Sequence, residues 1–236
     1  MRERVVVVIP ALNEEQRIGA TVAAARTLPK VIAVVVTDDG STDRTSVVAR
    51  EAGAHVVRHP RRRGKAAAMV TGAAAARAEG YADAPLLFLD ADLEGTAAVA
   101  APLVDPVLEG RADMTIAVLP PAPGGGHGFV VRLATKGIIR ATGWTPTQPL
   151  SGQRCITPDL FDVVQPLARG FGVETGLTID ALRHGARVLE CPVPISHRVT
   201  GTSWRDHRHR ARQYRDVWLA LAARRVRRSV GLSGSV

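Results

Sequence analysis

The sequence is poor in cysteine and has no long apolar segment. Two cysteines, Cys155 and Cys191, occur among 236 residues, which excludes a disulfide framework and a zinc-binding cysteine pattern. No apolar run approaches the ~18 residues that a membrane span needs, and the run at 5–9 is too short for a signal peptide. We therefore expect a protein of the reducing cytoplasm.

Acidic residues are fewer than basic ones, but the imbalance is confined to one segment. The chain has 31 Lys and Arg against 22 Asp and Glu, a net charge of +9. Nine arginines and two aspartates lie between Arg205 and Arg228, so this segment carries +7 and the rest of the chain only +2. A basic charge restricted to one helix-length segment is weak evidence for nucleic-acid binding, and we expect no nucleic-acid partner.

The apolar pattern predicts an α/β fold. With 46% hydrophobic and 22% charged residues, the chain is not a disordered one. Short β-branched runs alternate with segments of helical spacing, which predicts a mostly parallel, Rossmann-like sheet with helices on both faces. The predicted strands are 5–9, 31–36, 55–57, 86–89 and 114–118, and the helices between them are 14–28, 43–53, 65–79 and 97–109, the second capped by Ser41 or Thr42.

The second half of the chain departs from this alternation. A Pro/Gly loop at 120–128 leads to predicted helices at 129–142 and 173–184 and a strand at 187–191, while 144–158 reads as irregular. We expect one domain over 1–200, made of a first half at 1–118 and a second half at 119–200. A basic amphipathic helix at 201–228 and a disordered tail at 229–236 would follow it.

The C-terminal helix has an apolar stripe whose partner the sequence leaves open. Trp204, Ala211, Tyr214, Trp218 and Leu221 recur at intervals of three, four or seven residues. The stripe could pack on the body of the protein or on a second copy in a homodimer. It could also lie on an anionic membrane, where Trp and Arg are favoured, which would make the protein peripheral at the inner face.

Polar residues follow four successive predicted strands. Ligands of open α/β sheets bind at the carboxyl ends of strands, so these residues predict a polar site. They are Glu14 after the first strand, Asp38 and Asp39 after the second, Lys65 after the third, and Asp90 and Asp92 after the fourth. No Gly-x-Gly-x-x-Gly follows the first strand, and the glutamates there would repel a pyrophosphate, which argues against a dinucleotide-binding enzyme.

Each of these residue types suggests a role and also has an ordinary structural explanation. Asp90 and Asp92 can hold Mg²⁺ or Mn²⁺ against a diphosphate, or Asp92 can cap the next helix. Lys65 opens a helix and can meet a phosphate, or it belongs to a solvated basic run. Asp38 and Asp39 can accept hydrogen bonds from a base and a ribose, or cap a turn.

In series, the motifs resemble those of the family 2 glycosyltransferases, which share the GT-A fold. They are Ile-Pro-Ala-Leu-Asn-Glu-Glu at 9–15, Asp-Asp-Gly-Ser-Thr-Asp at 38–43, Gly-Lys at 64–65 and Leu-Asp-Ala-Asp-Leu at 89–93. The resemblance implies that Lys65 approaches the donor diphosphate and that Asp92 is the main metal ligand, with Asp90 and Glu94 as further ligands. It implies that the nucleotide sugar is bound by Pro10, Ala11, Glu14, Asp38, Asp39, Lys65, Asp90 and Ala91.

The resemblance implies a glycosyltransferase domain over 1–200 with a nucleotide-sugar half at 1–118 and an acceptor half at 119–200. The acceptor half is similar to segments of bacterial polyprenyl-phosphate glycosyltransferases and glucosyl-3-phosphoglycerate synthases. Their glycine loop, Tyr-Gly-Val-Glu segment and late histidine imply a catalytic Glu174 and a third metal ligand at His197. The same resemblance implies an acceptor site made by Gly125, Gly126, His127, Ser151, Gln153, Arg154 and Arg198. From the residues alone, Glu174 is either a polar helix-start residue or an acceptor or sugar ligand, and His197 is either a loop residue held by the backbone or a metal ligand.

The expected activity is metal-dependent transfer of a sugar from a nucleotide-diphosphate sugar, with a UDP-sugar favoured. The sequence lacks the Glu-Asp pair that serves as base in many inverting members, which suits an already ionised acceptor or a retaining mechanism. The acceptor would be a lipid phosphate or a small phosphorylated or carboxylate molecule. Two alternatives remain at this point: a nucleotidyltransferase on a related sheet, and a nucleotide-sugar-binding protein without turnover.

Overall fold

A computed structural model describes residues 4–120, 128–195 and 204–230, with the side chains of the last helix described over 211–224. In chain order, seven strands alternate with eight helices within these ranges. They are β1 Val5–Ala11, α1 Ile18–Arg26, β2 Val31–Asp38, α2 Thr45–Glu51, β3 His55–Arg58, α3 Lys65–Ala78, β4 Leu86–Phe88, α4 Ala101–Leu108, β5 Met114–Val118, α5 Phe129–Thr142, β6 Arg154–Ile156, α6 Pro158–Val163, α7 Val173–Arg183, β7 Val188–Pro192 and α8 Trp204–Val230. Short 3₁₀ turns at Glu94–Val99 and Gly170–Gly172 precede α4 and α7.

The strands form one sheet in the order β3-β2-β1-β4-β6-β5-β7. All neighbours are parallel except β6, which runs antiparallel to both β4 and β5. The predicted mostly parallel α/β fold is therefore confirmed. The prediction of an irregular 144–158 segment was wrong, because β6 fills the gap between β4 and β5 and α6 begins at Pro158.

Each face of the sheet buries its own apolar layer. The continuous valines of β1 are fully buried because helices cover both faces, as in other parallel sheets. One layer joins β1 and β2 to α1 and α4, and the other joins β4 to α3, α6 and α7. In the second layer the rings of Phe88 and Phe161 lie 5.2 Å apart.

Helix α3 lies unusually close to the sheet, and this sets the position of its first residue, Lys65. A Cβ atom on Gly72 would stand 2.4 Å from Val8 Cγ1 and 2.8 Å from Thr37 Oγ1. Only glycine permits that approach, so Gly72 brings the alanine-rich helix down onto β1 and β2. The helix start is thereby placed at the carboxyl ends of the strands.

The start of α2 differs from the prediction. Helix α2 begins at Thr45, and neither Ser41 nor Thr42 caps it. The carboxylate of Asp43 accepts from the Thr45 amide at 3.0 Å instead. The Ser41 side chain accepts from the amide of Asn13 and so ties the loop after β2 to the loop after β1.

Helix α8 packs on the body through a face that shares only Leu221 with the predicted stripe. Val217 and Leu221 are buried against α5 and α7, and Ala220 is buried beside Gly172, whereas Tyr214 and Trp218 are 45% and 52% exposed. The predicted stripe was therefore wrong at its two described aromatic residues and right at Leu221. Trp204 has no described side chain. No helix in the described ranges is both long enough and apolar enough to span a bilayer.

Candidate active site

Three predicted site residues meet in one cluster at the carboxyl edge of the sheet. The Lys65 Nζ atom lies 2.7 Å from Asp90 Oδ1 and 2.8 Å from Glu174 Oε1. Burial lowers the pKa of Lys65, but the two carboxylates outweigh it and raise that pKa above its usual value. The lysine is therefore a permanent cation that joins the nucleotide half of the chain to the acceptor half.

The loop before β6, residues 151–153, contacts this cluster and holds Asp90 in place. Gln153 is fully buried and donates from Nε2 to Asp90 Oδ2 at 2.6 Å, while its Oε1 accepts from the Ser151 hydroxyl at 3.3 Å. A Cβ atom on Gly152 would stand 2.7 Å from Lys65 Nζ, so only glycine lets the backbone pass this ion pair. Gln153 thus holds Asp90 and Ser151 holds Gln153, while the contact of these two residues with an acceptor stays a prediction.

Arg154 also lies in the interior. It is 1% exposed, with Nε donating to the Ser151 carbonyl at 2.8 Å and Nη1 donating to Thr178 Oγ1 at 2.9 Å. Burial lowers the pKa of Arg154 to about 10, and the negative charges of Glu174 and Glu190 oppose that shift. The guanidinium is enclosed by the protein in this structure, and its contact with an acceptor stays a prediction.

Asp92 and Glu14 belong to the same edge of the site. The pKa of Glu14 is raised, chiefly by burial, and the negative charges of Asp92 and Asp43 raise it further. Arg17 acts in the opposite direction, donating from Nε to Glu14 Oε2 at 2.9 Å. The negative charge of Asp92 beside the Glu14 carboxylate suits a hard divalent cation, which would relieve the repulsion between the two groups.

The described residues supply only part of a metal site. Within the described ranges, no group of three or more His, Cys, Asp or Glu side chains is arranged to hold a metal. The predicted further ligand Glu94 has an exposed side chain, and its amide donates to Thr21 Oγ1 at 2.8 Å. The other predicted ligand, His197, lies outside the described residues, as do Gly125, Gly126, His127 and Arg198 of the predicted acceptor site.

Asp38 is buried beneath the nucleotide edge and does not face it. It is fully buried, with Oδ1 accepting from the Ser41 amide at 2.8 Å and Oδ2 accepting from the Ser46 hydroxyl. Burial raises the pKa of Asp38, but hydrogen bonds from Ser41 and Ser46 and the charge of Arg58 bring the net value below normal. Both of its oxygens thus hold the loop after β2 in this structure, and the contact of Asp38 with a base stays a prediction.

Asp39 is likewise an anchor for the basic loop that leads to Lys65. It is 4% exposed and accepts from the amides of Arg63 and Gly64, each at 2.7 Å. Its Oδ1 atom also lies 2.7 Å from His59 Nδ1, and His59 Nε2 lies 2.9 Å from Thr71 Oγ1. The nucleotide contact of Asp39 stays a prediction beside this anchoring role. No local pattern around His59 marked it in the sequence.

The remaining predicted nucleotide residues surround the cluster. Pro10 is half-buried at the end of β1. Ala11 and Ala91 have side chains in the apolar core, so any contact with a nucleotide would involve their backbone. Two of those backbone groups are already used, because the Ala11 carbonyl accepts from the Asp39 amide and the Ala91 carbonyl from Thr21 Oγ1, both at 2.8 Å.

Comparison with known proteins assigns this arrangement to a family. The model of Glycosyl transferase family 2 matches residues 6–168, which include the ends of β1, β2, β3 and β4. The chain belongs to glycosyl transferase family 2. This confirms the predicted resemblance, and the nucleotidyltransferase alternative is wrong. Glu174 and α8 lie beyond the matched region.

The similar proteins of known name include glucosyl-3-phosphoglycerate synthases. That of Mycolicibacterium paratuberculosis is 33% identical over 198 residues, covering 74% of this chain and 58% of the relative. Glycosyltransferase AglJ of Haloferax volcanii is 28% identical over 205 residues, covering 85% of this chain and 65% of the relative. The chain thus spans less than two thirds of the length of these curated relatives.

A solved structure of the same class has the same fold. Glucosyl-3-phosphoglycerate synthase from Mycobacterium tuberculosis, in complex with Mn²⁺, uridine diphosphate and phosphoglyceric acid, superimposes with a TM-score of 0.76. The two chains are 28% identical, and the match covers 94% of this chain and 78% of the synthase. The GT-A architecture of this family 2 chain is therefore confirmed.

Proposed function

We propose that this family 2 chain transfers a sugar, with glucose the first candidate, from a UDP-sugar to a small phosphorylated acceptor. One observation carries the proposal: Lys65, Asp90 and Glu174 converge within hydrogen-bond distance at the carboxyl edge of the sheet. That edge is where nucleotides bind in open α/β folds. The mycobacterial synthase whose structure holds uridine diphosphate and phosphoglyceric acid gives the choice of donor and acceptor.

The metal of the reaction would be Mg²⁺ or Mn²⁺, held chiefly by Asp92. The carboxylates of Asp92 and Glu14 supply oxygen donors and a local excess of negative charge. Residue 197 and the donor's own diphosphate would complete the coordination. Bound there, the cation neutralises the charge that develops on the departing nucleotide diphosphate.

The residues of the cluster would have different roles: Lys65 stabilises charge, and Asp90 and Glu174 position other groups. Lys65 is held as a cation at the start of α3, where it can meet the diphosphate as the bond to the sugar breaks. Asp90, held by Gln153, fixes the direction of that lysine. Glu174 reaches the same lysine from α7 and would orient the sugar or the acceptor beside it.

A small phosphorylated acceptor is favoured over a lipid phosphate. The solved synthase relatives bind phosphoglyceric acid, and no comparison supports a lipid-linked acceptor. An acceptor phosphate is a dianion near neutral pH, and the exposed cationic segment 61–63 beside Lys65 favours the approach of anions to this edge.

The test is turnover with UDP-glucose, 3-phosphoglycerate and Mn²⁺, followed as UDP release. We expect release that needs both the acceptor and the cation, and a loss of about 10²–10³-fold in kcat for Asp92→Ala. Asp83→Ala is the matched control, because Asp83 is an exposed aspartate before the same strand. Full metal-dependent turnover by Asp92→Ala would contradict the assignment, and pyrophosphate as product would contradict the reaction class.

A further inference from the structure

Helix α8 fits into a surface of glycines at the start of α7. A Cβ atom on Gly172 would stand 2.6 Å from both Ala220 Cβ and the Asp216 carbonyl oxygen. A Cβ atom on Gly176 would stand 2.8 Å from Arg224 Cζ. At Gly172 the close atoms include the α8 backbone, so glycine there is what allows α8 to approach. At Gly176 they are the end of the Arg224 side chain, so glycine there leaves room for the guanidinium. The Gly-Phe-Gly-Val-Glu segment therefore has a structural role that its resemblance to acceptor-site segments does not include.

Polar contacts hold α8 in this surface. The Phe171 amide, just before α7, donates to Asp216 Oδ2 at 3.3 Å. Further along, Arg224 Nε donates to Asp180 Oδ1 at 2.9 Å, and both side chains are less than a tenth exposed. Arg183 of α7 donates from Nη1 to the Arg224 carbonyl at 2.8 Å. Contacts of α8 thus run from the turn before α7 to the end of α7.

The element held in this way carries Glu174. Glu174 is the second residue of α7, and its carboxylate accepts from Lys65 at 2.8 Å. Its carbonyl accepts from the Thr178 hydroxyl, which in turn accepts from the buried Arg154. A shift of the first turn of α7 would therefore move the Glu174 carboxylate relative to Lys65.

We propose that α8 is a working part of the active site and that Asp216 is a positioning residue for Glu174. Asp216 holds the turn 170–172, and this turn fixes the start of α7. The Glu174 carboxylate is thereby held against Lys65, which also contacts Asp90. The expected effect of Asp216 on turnover rests on the proposed function, whereas its expected effect on the contacts of Lys65 does not. No part of α8 lies within the matched family region, 6–168.

The first experiment reads that geometry without turnover. The chain has three lysines, Lys30, Lys65 and Lys136, so trace acetylation with mass spectrometry compares Lys65 with Lys30 inside one sample. In the wild-type protein the carboxylates of Asp90 and Glu174 protect the Lys65 amine. We expect Asp216→Ala to raise the Lys65/Lys30 labelling ratio at least about threefold, since one of the two carboxylates is displaced. An unchanged ratio overturns the proposal.

The second experiment measures kinetics and includes a conservative rescue. We expect Asp216→Ala to lower kcat about tenfold while the Kd for UDP with Mn²⁺ stays within about twofold, because the nucleotide half is untouched. Asp216→Asn keeps an oxygen acceptor for the Phe171 amide and should restore most of the activity. Arg212→Ala, on the exposed face of the same helix, is the control. A wild-type kcat for Asp216→Ala overturns the proposal.

Two further outcomes separate positioning from stability and from the proposed function. Loss of one hydrogen bond at this surface should lower Tm by only about 2–4 °C. If Asp216→Asn fails to restore activity while its Tm is normal, the hydrogen bond is not what positions Glu174. Ala220→Val offers a variant that wedges α8 away from Gly172 without removing a polar group, and it should raise Lys65 labelling as well. Raised labelling in a protein without glycosyl transfer would support the positioning and refute the proposed function.

Discussion

Replacement of Asp39 by alanine tests whether this residue anchors a loop or contacts the nucleotide. Asp39 accepts two backbone hydrogen bonds, from Arg63 and Gly64, and contacts His59, all at 2.7 Å. Hydrogen bonds to a charged group contribute about 1.5–3 kcal/mol each when no other partner replaces them. Arg63 is exposed and Gly64 half-buried, so water can replace part of what is lost. We therefore expect the free energy of unfolding to fall by about 3 kcal/mol, nearer the lower end of the sum.

The assay is thermal unfolding with UDP binding measured on the same samples. For a domain of this length, about 3 kcal/mol corresponds to a fall in Tm of roughly 6–12 °C. Asp83→Ala, an exposed aspartate, should shift Tm by no more than about 2 °C. An Asp39→Ala protein that melts within 2 °C of the wild type but no longer binds UDP at 20 °C would refute the anchoring role of Asp39. That result would support the predicted nucleotide contact instead.

Three other predictions follow from the charges of the structure. Lys65→Ala should lower kcat about 10²–10³-fold in the turnover assay, because a cation at the leaving diphosphate is removed; activity within twofold of the wild type would contradict its role. The pKa of Asp38 is lower in the folded protein than in the unfolded chain, so ionised Asp38 stabilises the fold at pH values above its unfolded-state pKa. This stabilisation is lost as pH falls through the folded-state pKa, so below about pH 4 the Tm should fall less steeply in Asp38→Asn than in the wild type. Arg224→Met should cost about 3–5 kcal/mol in chemical denaturation by leaving Asp180 buried and unpaired, and Arg224→Met with Asp180→Leu should recover most of that loss.

The sequence was sufficient to predict the strands and helices of the first half of the chain, because the local apolar pattern there agrees with the observed burial. The continuous valines of β1 and the alternation that follows specify a parallel sheet. Strand β6 could not be found in this way, since three residues give no usable period and its partners, β4 and β5, are distant in sequence. Its position between them depends on the whole sheet.

The site was predictable by residue type and chain position, but not by the direction of each side chain. Lys65, Asp90 and Glu174 were all singled out, and they meet. Asp38 carries equally suggestive chemistry but points into the fold, because hydroxyl and amide donors of the following loop surround it. Which carboxylate faces a ligand depends on where those loop donors lie, and spacing alone does not contain this information.

The buried face of α8 shows the same limit at the level of packing. Large aromatic residues dominate the apolar pattern, yet Trp218 lies outside while Ala220 is buried. The decisive residues are on the other side of the contact, where Gly137, Gly172 and Gly176 leave space for the helix. The buried face of a helix depends on the surface against which it packs, and here that surface includes glycines 44 to 84 positions earlier in the chain than the α8 residues they contact.

The most direct test of the account is the product balance with UDP-glucose, 3-phosphoglycerate and Mn²⁺, measured by mass spectrometry. The account predicts one hexosylated phosphoglycerate formed for each UDP released, and neither product when Asp92 is replaced by alanine. Pyrophosphate in place of UDP, or hexosylated product formed equally well by Asp92→Ala, would contradict it.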